Sequence, residues 1–251
     1  MKISIITVCF NSQDTIRDTI ESVLSQSYSN IEYIIVDGAS RDGTMSIVEE
    51  YRERISTIIS EPDKGIYDAM NKGIALATGD VVGILNSDDF YENENIVKFV
   101  ADQFNAVPES DLVFGDIVFV RPENLSRVVR YYSSGHFQSW KLRFGWMPPH
   151  PATFIRRSIY EKFGLYSLNY KISADYEMFV RLLMVYGLKF SKLSKVLVRM
   201  RAGGVSTSGF RSRLILNKEI VMACRDNGIY TNLPIVLSKT PFKLFELFRK
   251  A

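Results

Sequence analysis

Four short apolar runs rich in β-branched residues, Ile3–Phe10, Ile31–Val36, Ile55–Ile59 and Val81–Leu85, recur through the first third of the chain. Each is short, bounded by turn residues and nearly continuous in its apolar character, so each reads as a buried strand. The stretches between them have helical periodicity. Ile16, Ile20, Val23 and Leu24 make one stripe over about residues 14–26, a second helix runs from Thr44 to about Arg54, and a third from Ile66 to Ala77 lines up Ala69, Met70 and Ile74. Strands alternating with helices of about 10 to 13 residues predict an α/β fold, a mainly parallel sheet with right-handed crossovers between layers of helices.

A parallel sheet brings the carboxyl ends of its strands to one edge, where open α/β folds bind their ligands. Acidic residues follow successive runs here: Asp37 after the second, Asp63 beyond the third, Asp88 and Asp89 after the fourth. Adjacent carboxylates repel each other, and burying either requires a partner or a cation. A hard divalent ion bridging to a diphosphate would explain Asn86-Ser87-Asp88-Asp89. A polar turn with Asp89 capping the next helix would explain the pair of aspartates taken alone. Convergence of all four groups favours the ligand site. The first strand leads into Asn11-Ser12 without a glycine, and no Gly-x-x-x-x-Gly-Lys motif occurs, so a dinucleotide cradle and a P-loop are both disfavoured.

Beyond Asp89 the rhythm loosens. A helix is expected over Ile96–Phe104, a strand over Asp111–Val120 and a short strand over Ala152–Ile155, with helices over Arg157–Phe163 and Tyr176–Tyr186, the last opened by Ser173-Ala174-Asp175. Residues 121–148 are mixed and aromatic. The net charge of +3 divides unevenly: residues 1–180 carry 17 Lys/Arg and 25 Asp/Glu, residues 181–251 carry 14 and 3. An acidic body with a basic end points to two tasks. Cys9 and Cys224 have no metal-ligand spacing, and Cys9 reads as a small buried hydrophobe. With no stretch like a signal peptide and no long apolar span, a cytoplasmic protein is expected.

Four segments in order carry a resemblance: Ile5-Ile6-Thr7-Val8-Cys9-Phe10-Asn11, Val36-Asp37-Gly38-Ala39-Ser40-Arg41-Asp42-Gly43-Thr44, Leu85-Asn86-Ser87-Asp88-Asp89 and Asp175-Tyr176-Glu177-Met178-Phe179-Val180-Arg181-Leu182. Together they resemble family 2 glycosyltransferases of the GT-A fold, particularly those of bacterial exopolysaccharide and surface glycan synthesis, over about residues 1–206. The resemblance implies a Rossmann-like nucleotide-binding sheet and inverting transfer from a nucleotide-diphosphate sugar, a UDP-sugar being favoured. The acceptor is a hydroxyl of a glycan or lipid-linked glycan. It assigns Asp37 to the base, and Asn86, Ser87 and Asp88 to an Asp-x-Asp-like element in which Asn86 replaces the first aspartate. Asp88 is then the principal ligand of Mn²⁺ or Mg²⁺, with Asp89 supporting. Asp175 corresponds to the general base. Asp63 and Asn71 become nucleotide contacts, and His150 a contact to diphosphate or acceptor.

Each assignment has a plainer counterpart. Asp175 would also serve as a helix N-cap, Asp63 and Asn71 as part of a solvated helix face, His150 as a structural histidine, and Asp42-Gly43-Thr44 as turn and cap. The expected organisation is a nucleotide-sugar half, 1–105, an acceptor half, 106–206, and a helical basic extension, 207–251. In that extension Arg211, Arg213 and Lys218 with Leu214, Ile215 and Ile220 suggest an amphipathic helix. Phe242, Phe245 and Phe248 would suit peripheral contact with an anionic bilayer at the inner face of the cell membrane, or an ordinary docked helix. Gly203–Ser206 is a candidate lid. A sugar nucleotidylyltransferase and a non-catalytic nucleotide- or glycan-binding module are the rivals; no nucleic-acid-binding motif is present.

Overall fold

The computed structural model describes residues 1–203 and 210–239. One nine-stranded sheet runs through it, and its two halves obey different rules. Strands β1 (Ile3–Cys9), β2 (Ile31–Asp37), β3 (Thr57–Ser60) and β4 (Val81–Ile84) are parallel, in the order β3-β2-β1-β4. They alternate with helices α1 (Ile16–Leu24), α2 (Thr44–Glu49) and α3 (Ile66–Leu76), as the apolar periodicity predicts.

The period-2 pattern of β1 divides the core. Ile3, Ile5 and Cys9 face α1, α2 and α4 (Ile96–Ala106), whereas Ile6 and Val8 face α3 and the helices that follow it. α3 lies close against β1 because Gly73 has no side chain: a Cβ there would run into Ile6.

The second half is mixed, which corrects the expectation of a mainly parallel sheet. β5 (Asp89–Tyr91), β6 (Leu112–Arg121), β7 (Asn124–Tyr132), β8 (Thr153–Arg156) and β9 (Phe190–Arg201) continue the sheet as β4-β8-β6-β9-β5, with β7 on β6. β8 is antiparallel to β4 and β6, β5 to β9 and β7 to β6, while β9 is parallel to β6. Asp89 therefore opens a three-residue strand and does not cap a helix. The mixed aromatic stretch contains a hairpin strand, and the approach to the glycine-rich loop is a twelve-residue strand.

Helices α5 (Arg157–Phe163), α6 (Ala174–Val180), α7 (Phe210–Asp226) and α8 (Leu233–Leu237) complete the chain. α6 continues as a π-helical turn over Arg181–Val185. α7 packs on α6 and buries Ile220, Ala223 and Cys224 in the same core as Tyr176 and Phe179. No helix among the described residues is long and apolar enough to cross a membrane. The expected lid residues Gly204–Ser206 and the phenylalanine-rich end 241–250 lie outside the described residues, as do the side chains of Arg211 and Arg213.

Candidate active site

The parallel registers set Cys9, Asp37 and Ser60 side by side at one edge. Asp37 is fully buried, and its carboxylate accepts from the Ser40 amide (3.0 Å), the Ser40 hydroxyl and the Ser60 hydroxyl (2.6 Å), with the Cys9 thiol at 3.6 Å. That carboxylate is enclosed, with both oxygens bonded to the turn and to the neighbouring strand end. Its work is to hold the turn Gly38–Ser40, in which Ala39 takes φ +62. The Asp37 charge and burial together push the Cys9 thiol well above its ordinary value.

The group that faces outward is Asp63. Its carboxylate stands where a side chain on Gly38 would go, and Phe10 is the other wall of that space. Phe10, just past β1, is 59% exposed. An apolar ring open to solvent beside a partly buried carboxylate can stack on a planar base while the acid accepts from its N–H edge. Phe10 was hidden in the sequence because it continues an apolar run. The loop carrying Asp63 is braced by Lys72, which bonds the Pro62 carbonyl (2.9 Å) and Glu61 (2.8 Å). Asn71 staples two segments: its side-chain amide donates to the Tyr166 carbonyl (2.9 Å) and accepts from the Tyr166 amide (3.0 Å), which leaves one N–H and one lone pair of the amide. Asp42 caps Thr44 and accepts from the Gln13 amide, which is the turn-and-cap reading of that segment.

After β4 the chain turns through Leu85–Asp88. Ser87 meets Ser12 of the neighbouring loop (2.8 Å). Asp88 is partly exposed, and burial without a partner raises its pKa. Asp89 is enclosed, its carbonyl taking the Thr19 hydroxyl (2.7 Å). Burial and the Asp88 charge raise its pKa well above the carboxylate range. Being enclosed, Asp89 meets an ion only through the Oδ1 that has no hydrogen-bond partner.

Arg201 locks this loop from 113 residues away. It donates to the Asp88 carbonyl (2.6 Å), pairs with Asp18 and covers the Phe90 ring. Only the β5–β9 pairing, which sets Phe90 opposite Arg199, reveals that role.

No cluster of three or more metal-type ligands occurs among the described residues. The donor set still fits a divalent ion held mainly by substrate. Asp88 offers one half-buried carboxylate, and the buried Oδ1 atoms of Asn86 and Asp89 beside it have no hydrogen-bond partner. Mg²⁺-type sites commonly use one or two carboxylates and complete their shell with phosphate oxygens and water.

A second polar centre is built around Asp175 at the start of α6. Its Oδ1 accepts from the Tyr176 amide (2.8 Å) and lies 3.2 Å from the Tyr67 hydroxyl, which shares its one proton between Asp175 and the Ile172 carbonyl (2.6 Å). Burial raises its pKa, opposed by neighbouring His150. His150 is itself buried, its pKa lowered by that burial, and its Nε2 meets the Tyr166 hydroxyl at 2.7 Å. The structure thus places His150 beside Asp175, within an aromatic wall in which Tyr67 stacks on Tyr166. Because Tyr67 follows Asp63 by four residues, the first turn of α3 is where the two centres meet.

A clamp absent from the sequence expectations holds this second centre. Glu219 of α7 is buried, and its carboxylate accepts from three successive amides, Lys171 (2.9 Å), Ile172 (3.0 Å) and Ser173 (2.9 Å), directly before Asp175. A single glutamate in a basic segment carries no local signal of that contact.

The family model described as Glycosyl transferase family 2 matches residues 4–164. The chain belongs to that family. It is a glycosyltransferase, which removes the nucleotidylyltransferase and binding-module alternatives. Among its relatives is the PGL/p-HBAD biosynthesis glycosyltransferase of Mycobacterium bovis BCG, 31% identical over 182 residues, covering 71% of this chain and 68% of that protein. Solved structures agree on the fold, which is GT-A. Residues 1–349 of TarS from S. aureus, in complex with UDP-GlcNAc, superpose with a TM-score of 0.70 at 18% identity, over 95% of this chain and 71% of that fragment. The mannosyltransferase PcManGT from Pyrobaculum calidifontis, in complex with GDP-Man and Mn²⁺, does so with 0.67 at 18%, over 98% and 73%.

Proposed function

We propose that this glycosyltransferase moves a sugar, with inversion, from a nucleotide-diphosphate donor, a UDP-sugar in the first instance, to a hydroxyl of a glycan or lipid-linked glycan in surface polysaccharide synthesis. The observation that carries this reading is the Asp175 carboxylate. One of its oxygens is held by Tyr176 and Tyr67, and burial keeps it more basic than an ordinary aspartate. A free acceptor hydroxyl is a poor nucleophile, so a positioned base must take its proton as the new bond forms. In the proposed step the acceptor oxygen attacks the anomeric carbon from the face opposite the diphosphate. Its proton passes to Asp175, and the bond to the diphosphate oxygen breaks, releasing nucleoside diphosphate.

On the donor side Asp63 and Phe10 read the base, and Asp88 with Asn86 and Ser87 meets the diphosphate. Asp88 would hold Mn²⁺ or Mg²⁺, which when bound supplies positive charge to the leaving diphosphate. The UDP-GlcNAc bound to TarS supports this choice of donor class, and the Mn²⁺ bound to PcManGT supports the choice of metal. Two measurements test it. Calorimetric titration with UDP, GDP and their sugars should give binding of one nucleotide class that Mn²⁺ strengthens and EDTA weakens. Asp175→Asn should cut transfer by roughly a hundred- to ten-thousand-fold with donor binding intact. Loss of donor binding in that variant, or full transfer, sinks the assignment of the base.

A further inference from the structure

Between the end of β7, the 3-10 turn Ser139–Phe144 and the end of α8 lies a cavity of about 610 Å³. That is within the roughly 300–1,000 Å³ typical of small-ligand pockets. Tyr131, Phe137, Trp140, Phe144, Trp146 and Met147 form its walls. Trp140 is 54% exposed and meets Phe144 edge-on with ring centroids 5.8 Å apart. Its polar lining consists of Lys141, Lys239, His136 and hydroxyl groups, with no carboxylate and no side-chain amide.

That lining discriminates between ligands. A sugar ring would bring several hydroxyls into the cavity, each needing a partner once desolvated, and the lining holds no carboxylate or side-chain amide to pair with two neighbouring hydroxyls at once. Carbon walls with only positive charge fit an apolar chain ending in an anion. The cavity is also tied to the acceptor centre at two points. Tyr176, next to Asp175, donates its hydroxyl to the Leu142 carbonyl inside the turn. Tyr132 bonds the Met147 carbonyl (2.7 Å), three residues before His150.

We propose that this cavity binds the apolar chain of an anionic amphiphile, a long-chain prenyl or alkyl phosphate that carries the acceptor. Its role as an acceptor site rests on the transfer reading above. Its occupancy does not.

Both tryptophans of the chain line the cavity, so intrinsic fluorescence reads it without donor, metal or turnover. The full-length protein is titrated with farnesyl phosphate below its micelle concentration, with farnesol, with inorganic phosphate and with methyl glycosides. Farnesyl phosphate should shift the emission saturably and bind tighter than farnesol, while phosphate and glycosides leave the emission unmoved. Phe144→Glu, which puts a carboxylate into the wall, should weaken binding by about tenfold or more. Lys141→Gln should erase the preference for the phosphate while keeping the chain bound, and it serves as the milder variant should Phe144→Glu not fold. A response to glycosides alone would make this a carbohydrate site and overturn the proposal. It would equally be overturned if no ligand shifted the emission, or if the full chain were silent and responded only after removal of residues 240–251. Failure of metal-dependent donor binding alongside normal farnesyl phosphate binding would strike the transfer reading alone.

Discussion

The proposed donor side and the proposed acceptor side of this enzyme are built by different strategies. At the donor edge the turns that carry the acids are closed locally, Asp37 to Ser40, Asp42 to Thr44 and Asp63 to the Gly65 amide each spanning two or three residues, and only the Asp88 loop is locked from afar, by Arg201. At the acceptor side they cross the chain. Tyr67 reaches Asp175 over 108 residues, and Glu219 reaches Lys171 over 48. A local turn forms wherever its motif occurs, whereas a long-range clamp exists only once the whole fold has closed. Loosening the acceptor side should therefore slow the chemistry, and disturbing the donor edge should weaken binding.

The largest separation of the two is expected at Glu219. Glu219→Ala leaves three amides before Asp175 without their acceptor and frees the approach to α6, and small misplacements of a catalytic group are costly. We expect kcat to fall about tenfold to a hundredfold with the donor dissociation constant unchanged. Glu219→Gln, which keeps one acceptor oxygen, should fall between. If both variants lower donor affinity as much as kcat, α7 supports the whole sheet and not the acceptor side.

Asp63→Ala probes the other side. Losing a carboxylate that accepts from a base should raise the donor KM by about tenfold, the worth of one charge-assisted hydrogen bond, with little change in kcat. It should also flatten the preference between UDP and GDP sugars. A collapse in kcat at constant KM would place Asp63 with the chemistry.

Tyr67→Phe acts where the two sides touch. The Tyr67 hydroxyl favours the ionised form of Asp175, so its removal raises a pKa that burial has already raised. The base must be ionised to work, so the acid limb of the pH–rate profile should move to higher pH with a few-fold loss of kcat near neutrality. An acid limb unmoved by the substitution would mean that another group takes the proton.

The same contrast decides what was legible beforehand. The β1–β4 half could be read from periodicity because β1, β2 and β4 are buried on both faces and each crossover is short, so local pattern and tertiary role coincide. β5 and β9 escaped because a three-residue strand and a lysine- and arginine-bearing strand have no apolar run to announce them; their pairing is decided 100 residues apart. The candidate acids were found as residue types at strand ends, but not their division of labour. Asp37 and Asp63 look alike in sequence, and only the cross-strand hydroxyl of Ser60 and the empty Cβ position of Gly38 make one a staple and the other an open ligand.

Asp88 and Asp89 repeat that lesson on adjacent residues, and the smallest effect should be found there. Asp89 is enclosed with its pKa raised, chiefly by burial and then by Asp88. A carboxyl whose folded pKa lies above its unfolded value contributes stability that is complete below the unfolded value, near about 3.9, and is lost as pH rises through the folded one. Asp89→Asn removes the titration and keeps the shape. In EDTA, we expect the variant to be more stable than the native protein at pH 8 by about 1 kcal/mol, the lower end of the cost of an unsatisfied buried polar group, with the difference closing towards pH 4. Thermal unfolding at the two pH values measures it. A variant that is less stable at pH 8 would mean that Asp89 is ionised in the fold and held by Arg201, so that the enclosed carboxylate anchors the loop that presents Asp88.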